Sequence, residues 1–250
     1  MKQTFFALVG LGMLMGGEVA VAQEGNPVLF SAYYTCDQSR ELVADLLVGE
    51  AIAPILDRHV AAGDLNGWGW LAHRVGGSWR RAEFMAASNF ETLLSTRNAI
   101  IQERQQEAGA ASAEFNRICP EHDDYIWNQV AASGPATAGL PPAPARMSTY
   151  YRCNAGRAAR ADEIFNESLA PIMNRHTSDS ALRGWGWWAH LVGGEYRRFL
   201  TMNAVDGPTL YTHWGAALNE MANDASEAWE EFNRICGAHT DYQWANGLPG

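Results

Sequence analysis

The chain repeats itself at one fixed offset. The stretch GWGWLAHRVGGSWRR, from Gly67 to Arg81, returns 117 positions later as GWGWWAHLVGGEYRR, from Gly184 to Arg198. The same offset relates Tyr33-Tyr34 to Tyr150-Tyr151, Pro54 to Pro171, and Arg58-His59 to Arg175-His176. It also relates EFNRIC at Glu114 to the same six letters at Glu231. Of the 98 paired positions from Ser31 to Asn128, about 43 are identical, with no gap. This is a duplication, so any fold one copy adopts must be present twice.

Between the copies lies AASGPATAGLPPAPARM, residues 131–147, rich in Pro, Gly and Ala. It reads as a linker, partly extended by its prolines. At about 3 Å per extended residue it can span a small domain, which leaves the mutual orientation of the copies open.

Each copy carries the same order of segments. LFSAYYTC, from Leu29, is short and rich in aromatic residues, as a strand is. Asp37 and Asn154 follow the cysteines as good helix N-caps. ELVADLLVGEAIAPILDRHV, from Glu41, has helical apolar spacing and a kink expected at Pro54. LNGWGWLAHRV alternates as a second strand, Gly-Gly turns it, and SWRRAEFMAA returns as a third. Thr92 to Ile118 is helical by composition, and YIWNQV is a last short strand. The order is β-α-β-β-α-β, the ferredoxin-like split motif. The predicted class is α+β with two such units in tandem.

Four cysteines allow three pairings. In this topology the first and last strands are neighbours. Cys36 closes the first strand and Cys119 precedes the last, with Cys153 and Cys236 their counterparts. The one pairing made within each copy, alike in both, is therefore Cys36–Cys119 and Cys153–Cys236. Each bond should contribute roughly 2–4 kcal/mol to a domain with a modest core.

Lys2, the apolar run Phe5–Met15 and Ala20-Val21-Ala22 read as a secretory signal cleaved after Ala22. The apolar run is too short to span a bilayer, which takes about 20 residues. The expected division is 1–22 signal peptide, 23–130 first repeat, 131–147 linker and 148–250 second repeat. A periplasmic or secreted location follows, and disulfides suit it. The formal net charge is −10, and Lys2 is the sole lysine. Nucleic acid is excluded as a partner, because phosphate binding wants a basic footprint. No second segment is apolar enough to be a membrane span.

The tandem units, with GDLNGWGW following the first helix, resemble the dimeric α+β barrel superfamily. That resemblance implies two sheets packed face to face as a fused, intrachain pseudo-dimer. Members include monooxygenases, haem-handling enzymes and isomerases, and some have no known activity, so the fold does not give the function.

Alternation divides the second strand into two faces. Trp68, Trp70 and Ala72 share one; Gly67, Gly69, Leu71, His73 and Val75 share the other. A hairpin loop of two or four residues puts Arg80, Ala82 and Phe84 with His73, and Arg81, Glu83 and Met85 with the tryptophans. A three-residue loop reverses this. Six of the seven histidines fall in matched pairs: His59/His176, His73/His190 and His122/His239. Each has a structural account as well as a functional one, and His73, in mid-strand beside Arg80, is the least easily explained. The ligand-binding candidates are His73, Arg80 and Trp70 with their counterparts His190, Arg197 and Trp187.

No HExxH, CxxC, CxxCH, GxSxG or phosphate-cradling loop is present. No metal site and no cofactor can be assigned. The leading expectation is an exported protein that binds a small anionic or aromatic ligand between its sheets. One alternative is a barrel enzyme of the monooxygenase or isomerase kind, with His73 or His190 as general base or cofactor ligand. Another is a purely structural or interaction module. The oligomeric state is left open.

Overall fold

The computed structural model describes residues 27–133, 143–177 and 182–248. The expected signal segment lies outside them, as does the middle of the expected linker.

The first repeat forms β1 (Val28–Thr35), α1 (Glu41–Leu47), α2 (Ala53–Ala62), β2 (Gly67–Gly76), β3 (Arg81–Ala87), α3 (Phe90–Glu107), α4 (Gly109–Ile118) and β4 (Glu121–Ala132). The second forms β5 (Ala145–Arg152), α5 (Ala158–Ile164), α6 (Ala170–Thr177), β6 (Leu182–Val192), β7 (Arg198–Ala204), α7 (Gly207–Asp224), α8 (Ser226–Cys236) and β8 (Ala238–Asn246). β4 and β5 therefore take in both ends of the expected linker.

The eight strands close into one antiparallel barrel in the order β1-β3-β2-β8-β5-β7-β6-β4. Within the first repeat the order is β4-β1-β3-β2, and β8-β5-β7-β6 matches it strand for strand. The two seams, β2 against β8 and β4 against β6, join one repeat to the other and leave no free sheet edge.

Pro54 acts as expected, with a specific geometry. A π turn, Val48–Ile52, separates α1 from α2, and the Ala53 N–H bonds to the Val48 carbonyl five residues back. Proline has no N–H for a normal turn and its ring crowds the carbonyl four residues earlier, so the helix widens by one residue. Pro171 does the same at Phe165–Leu169. The single helix expected over Thr92–Ile118 is two: Ala108, at φ −126° and ψ 24°, breaks it before Gly109. Asp37 caps no helix. Its carboxylate accepts from Ser39 in the turn before α1.

Three apolar cores result. Two lie between the sheet and the helices of each repeat; the third fills the barrel. The cysteines pair within repeats, Cys36–Cys119 and Cys153–Cys236. Among the described residues no helix is long and apolar enough to cross a membrane.

Candidate functional site

The hairpin register sets which side chains meet. Trp70 pairs with Glu83 and Ala72 with Arg81, as an even loop requires. The tryptophans face the helices, away from the barrel interior. Trp70 packs with Ile52, Leu56 and Phe115 in the first helix-side core, and Trp187 lies in the second. Each is fully buried, and its indole N–H is occupied: Trp70 donates to Asp45 at 2.7 Å and Trp187 to Asp162 at 2.9 Å. The same aspartates hold a buried arginine from the next strand. Arg81 Nε donates to Asp45 at 2.6 Å, and Arg198 Nε to Asp162 at 2.6 Å. Burial works against the charge of Arg81, and Asp45 with Glu41 more than offsets it. This Trp–Asp–Arg set fastens the first helix of each repeat to its hairpin.

His73 and Arg80 do come together, as do His190 and Arg197. Arg80 Nη1 lies 2.9 Å from His73 Nδ1, and Arg197 Nη1 lies 3.1 Å from His190 Nδ1. A guanidinium only donates, so each Nδ1 accepts and each neutral ring keeps its hydrogen on Nε2. Burial, then the neighbouring arginine, holds both histidines below the usual value. Each Nε2 is buried without a hydrogen-bond partner among the described residues; the Gly76 and Gly193 carbonyls favour the charged rings without reaching bonding geometry. The two pairs stand at separate seams. His73 meets Tyr242 and Trp244 edge-on, and His190 meets Tyr125 and Trp127. The six candidate residues are thus distributed over two seams and two helix-side layers rather than one pocket.

The repeats differ at this point. Glu41 binds Arg80 through Nε at 2.6 Å. Its counterpart is Ala158, and among the described residues no carboxylate pairs with Arg197.

The barrel interior is filled with rings. Tyr33 and Tyr150, counterparts under the offset, meet edge to face at 5.3 Å. At the hairpin end Trp79 stacks on Tyr33 at 4.1 Å and on Tyr242 at 5.0 Å, closing that mouth together with Tyr196. Gly69 exists for this packing: a Cβ there would lie 2.4 Å from the Phe84 ring.

The other mouth holds a residue that sequence reasoning missed. Arg146, near the start of β5, crosses the lumen toward Phe84 of β3, its guanidinium carbon 5.8 Å from the ring centre. Among the described residues its one side-chain hydrogen bond runs from Nε to the Ala143 carbonyl at 3.3 Å. Burial alone pulls its pKa below that of a free arginine; among the described residues no carboxylate counteracts it. In register it faces Asn203 on one side and Trp244 on the other. Trp244 is buried, and its indole N–H has no acceptor among the described residues. Arg146 replaces Leu29 of the first repeat. That replacement was the available signal, but it falls inside the span expected to be linker.

No known family model matches the chain. No curated protein is detectably similar in sequence. Solved structures are similar in shape. A monooxygenase-like protein from Fusobacterium nucleatum superposes with a TM-score of 0.59 at 7% identity, over 89% of this chain and 93% of the other. An anthrone oxidase-like protein gives 0.53 at 10% identity, over 90% and 93%. A chlorite dismutase variant from Candidatus Nitrospira defluvii gives 0.52 at 9% identity, over 89% and 92%. At these identities the likeness establishes the fold alone: a mixed α+β protein with a closed eight-stranded antiparallel barrel.

Proposed function

We propose that the protein binds a small planar anion at the open mouth of its barrel, with Arg146 as the anchoring cation. The observation that carries this is a guanidinium inside an aromatic barrel with no carboxylate among the described residues to neutralise it. Burying an unpaired charge is costly, and an anionic ligand removes that cost. The planar fork suits the two oxygens of a carboxylate, and Phe84 offers a face to a flat ligand. The idle indole N–H of Trp244 supplies a further donor on the same side. Arg197, lacking the carboxylate that Arg80 has, is a second and weaker anion position beside His190.

The geometry favours binding over base catalysis at His73 or His190. The lone pair of each neutral ring is already engaged by arginine, which leaves Nε2–H as a donor. The monooxygenase-like neighbours support a barrel reaction only at the level of fold.

In this reading each repeat is a ferredoxin-like unit, a view that the matching strand orders support. The protein is exported, with residues 1–22 removed, in keeping with two disulfides.

The test is a titration of the purified protein with benzoate, read by tryptophan fluorescence, to which the barrel residues Trp79, Trp127, Trp188 and Trp244 contribute. A saturable response is expected. Arg146→Gln should weaken it by at least about tenfold, the scale of one charge-assisted hydrogen bond. No response, or an equal response in Arg146→Gln, overturns the proposal.

A further inference from the structure

We propose a second site, independent of the barrel mouth: His176 and His213 together bind a transition-metal dication. His176 lies in the last turn of α6 and His213 in α7. Their Nδ1 atoms face each other at 3.3 Å, with ring planes at 82°. The other nitrogen of His176, Nε2, lies 3.0 Å from Glu220 Oε1. Arg175 also donates to Glu220, at 2.6 Å, in an ion pair. Glu220 is therefore an anion that accepts from His176 Nε2–H. The Nδ1 lone pair of His176 is left pointing at His213. A carboxylate behind the imidazole is how metal-ligating histidines are oriented and made more basic.

The spacing fits a shared ion. Two nitrogens each about 2.0–2.1 Å from a tetrahedral zinc stand about 3.3–3.4 Å apart. A hydrogen bond donated by N–H is usually shorter, about 2.7–3.2 Å.

The first repeat shows what has changed. There His59 Nδ1 meets Asp64 at 2.9 Å and Nε2 meets Glu103 at 3.1 Å. Two carboxylates satisfy that ring. The position matching His213 is Thr96, which is buried, and His213 is the one histidine without a counterpart. The second repeat thus puts an imidazole nitrogen where the first meets a carboxylate, and converts a closed histidine into two converging nitrogen donors. Imidazole pairs suit zinc, copper and nickel. Among the described residues no group of three or more ligating side chains gathers. The protein therefore contributes two ligands, and solvent or a small anion completes the shell.

The test is zinc uptake by the tag-free protein in competition with a chromophoric chelator. One zinc per chain is expected. His213→Thr, which installs the residue of the first repeat, and His176→Gln should each lose at least about tenfold in affinity. Glu220→Gln should lose about 10–100-fold. His59→Gln should change nothing. Zinc added to the unaltered protein should shift the ring NMR signals of His176 and His213, a readout that needs no variant to fold. Absence of uptake, uptake undiminished in His213→Thr, or shifts confined to other histidines overturns the site.

Discussion

At the scale of single residues, the seam histidines carry a pH signature. Burial and the adjoining arginines lower the pKa of His73 and His190 in the folded protein. The unfolded chain then binds more protons than the folded one just below the ordinary histidine value, about 6.5. Stability should therefore be unaffected by these rings above that pH. It should fall as pH drops through it, down to the lowered folded values. Histidine NMR titration should place both rings below the ordinary histidine value. Replacing both with Gln should flatten this part of the stability profile. If the profile is unchanged in the double variant, the rings are not neutral donors at the seams. The pairing of His73 with Arg80 was one of two arrangements legible in the sequence, because strand alternation sets them side by side with an even hairpin loop and apart with a three-residue one; the register decided for the even loop. The separation of Trp70 from them was equally legible; the destination of each face was not.

At the scale of elements, comparing the repeats turns one difference into an experiment. On the helix side of β3, Glu83 is paired with Arg104 of α3, and Tyr34 donates to it at 3.4 Å. The counterparts are Leu200 and Met221, both fully buried. One repeat thus joins strand to helix by an ion pair, the other by an apolar contact of similar size. Glu83→Leu alone strands a buried guanidinium and should cost about 3–5 kcal/mol in chemical denaturation. Adding Arg104→Met should recover most of that loss. A double variant no better than the single one would mean that the two interfaces are not interchangeable. The disulfides act between elements as well. Each ties the end of the first strand to the helix before the last across a sequence separation of 83. Reduction should remove roughly 2–4 kcal/mol per bond and lower the melting temperature. Peptide mapping without reduction should yield only the two bonds within repeats.

At the scale of the whole molecule, the barrel makes the repeats interdependent. Each repeat alone would expose an inner face bearing Tyr33, Trp79, Tyr125 and Trp127, or their counterparts Tyr150, Tyr196, Tyr242 and Trp244. It would also expose two unpaired strand edges. A chain split after Ser133 and resumed at Ala143 should therefore assemble from its co-expressed halves as a heterodimer. Either half alone should self-associate. Sedimentation velocity distinguishes these outcomes, and a stable folded monomer of one half would contradict the barrel as a shared core.

The sequence by itself determined that a unit occurs twice, through the 117-residue offset, that its strands alternate around a hairpin and, through the strand order read from it, that cysteines pair within each unit. These are local or repeated properties: periodicity, turn chemistry and matched positions carry them. Which face of β2 turns toward the helices was decided only by tertiary structure. In this barrel both faces are buried, one under helices and one in the lumen, so alternation between polar and apolar residues gives no direction. The same holds for Arg146, whose environment comes from strands β3, β7 and β8, and for His213, whose partner lies 37 residues away in sequence. A charge without a partner, or two nitrogens that converge, is a fact about distances, and distances between remote segments exist only once the chain has closed.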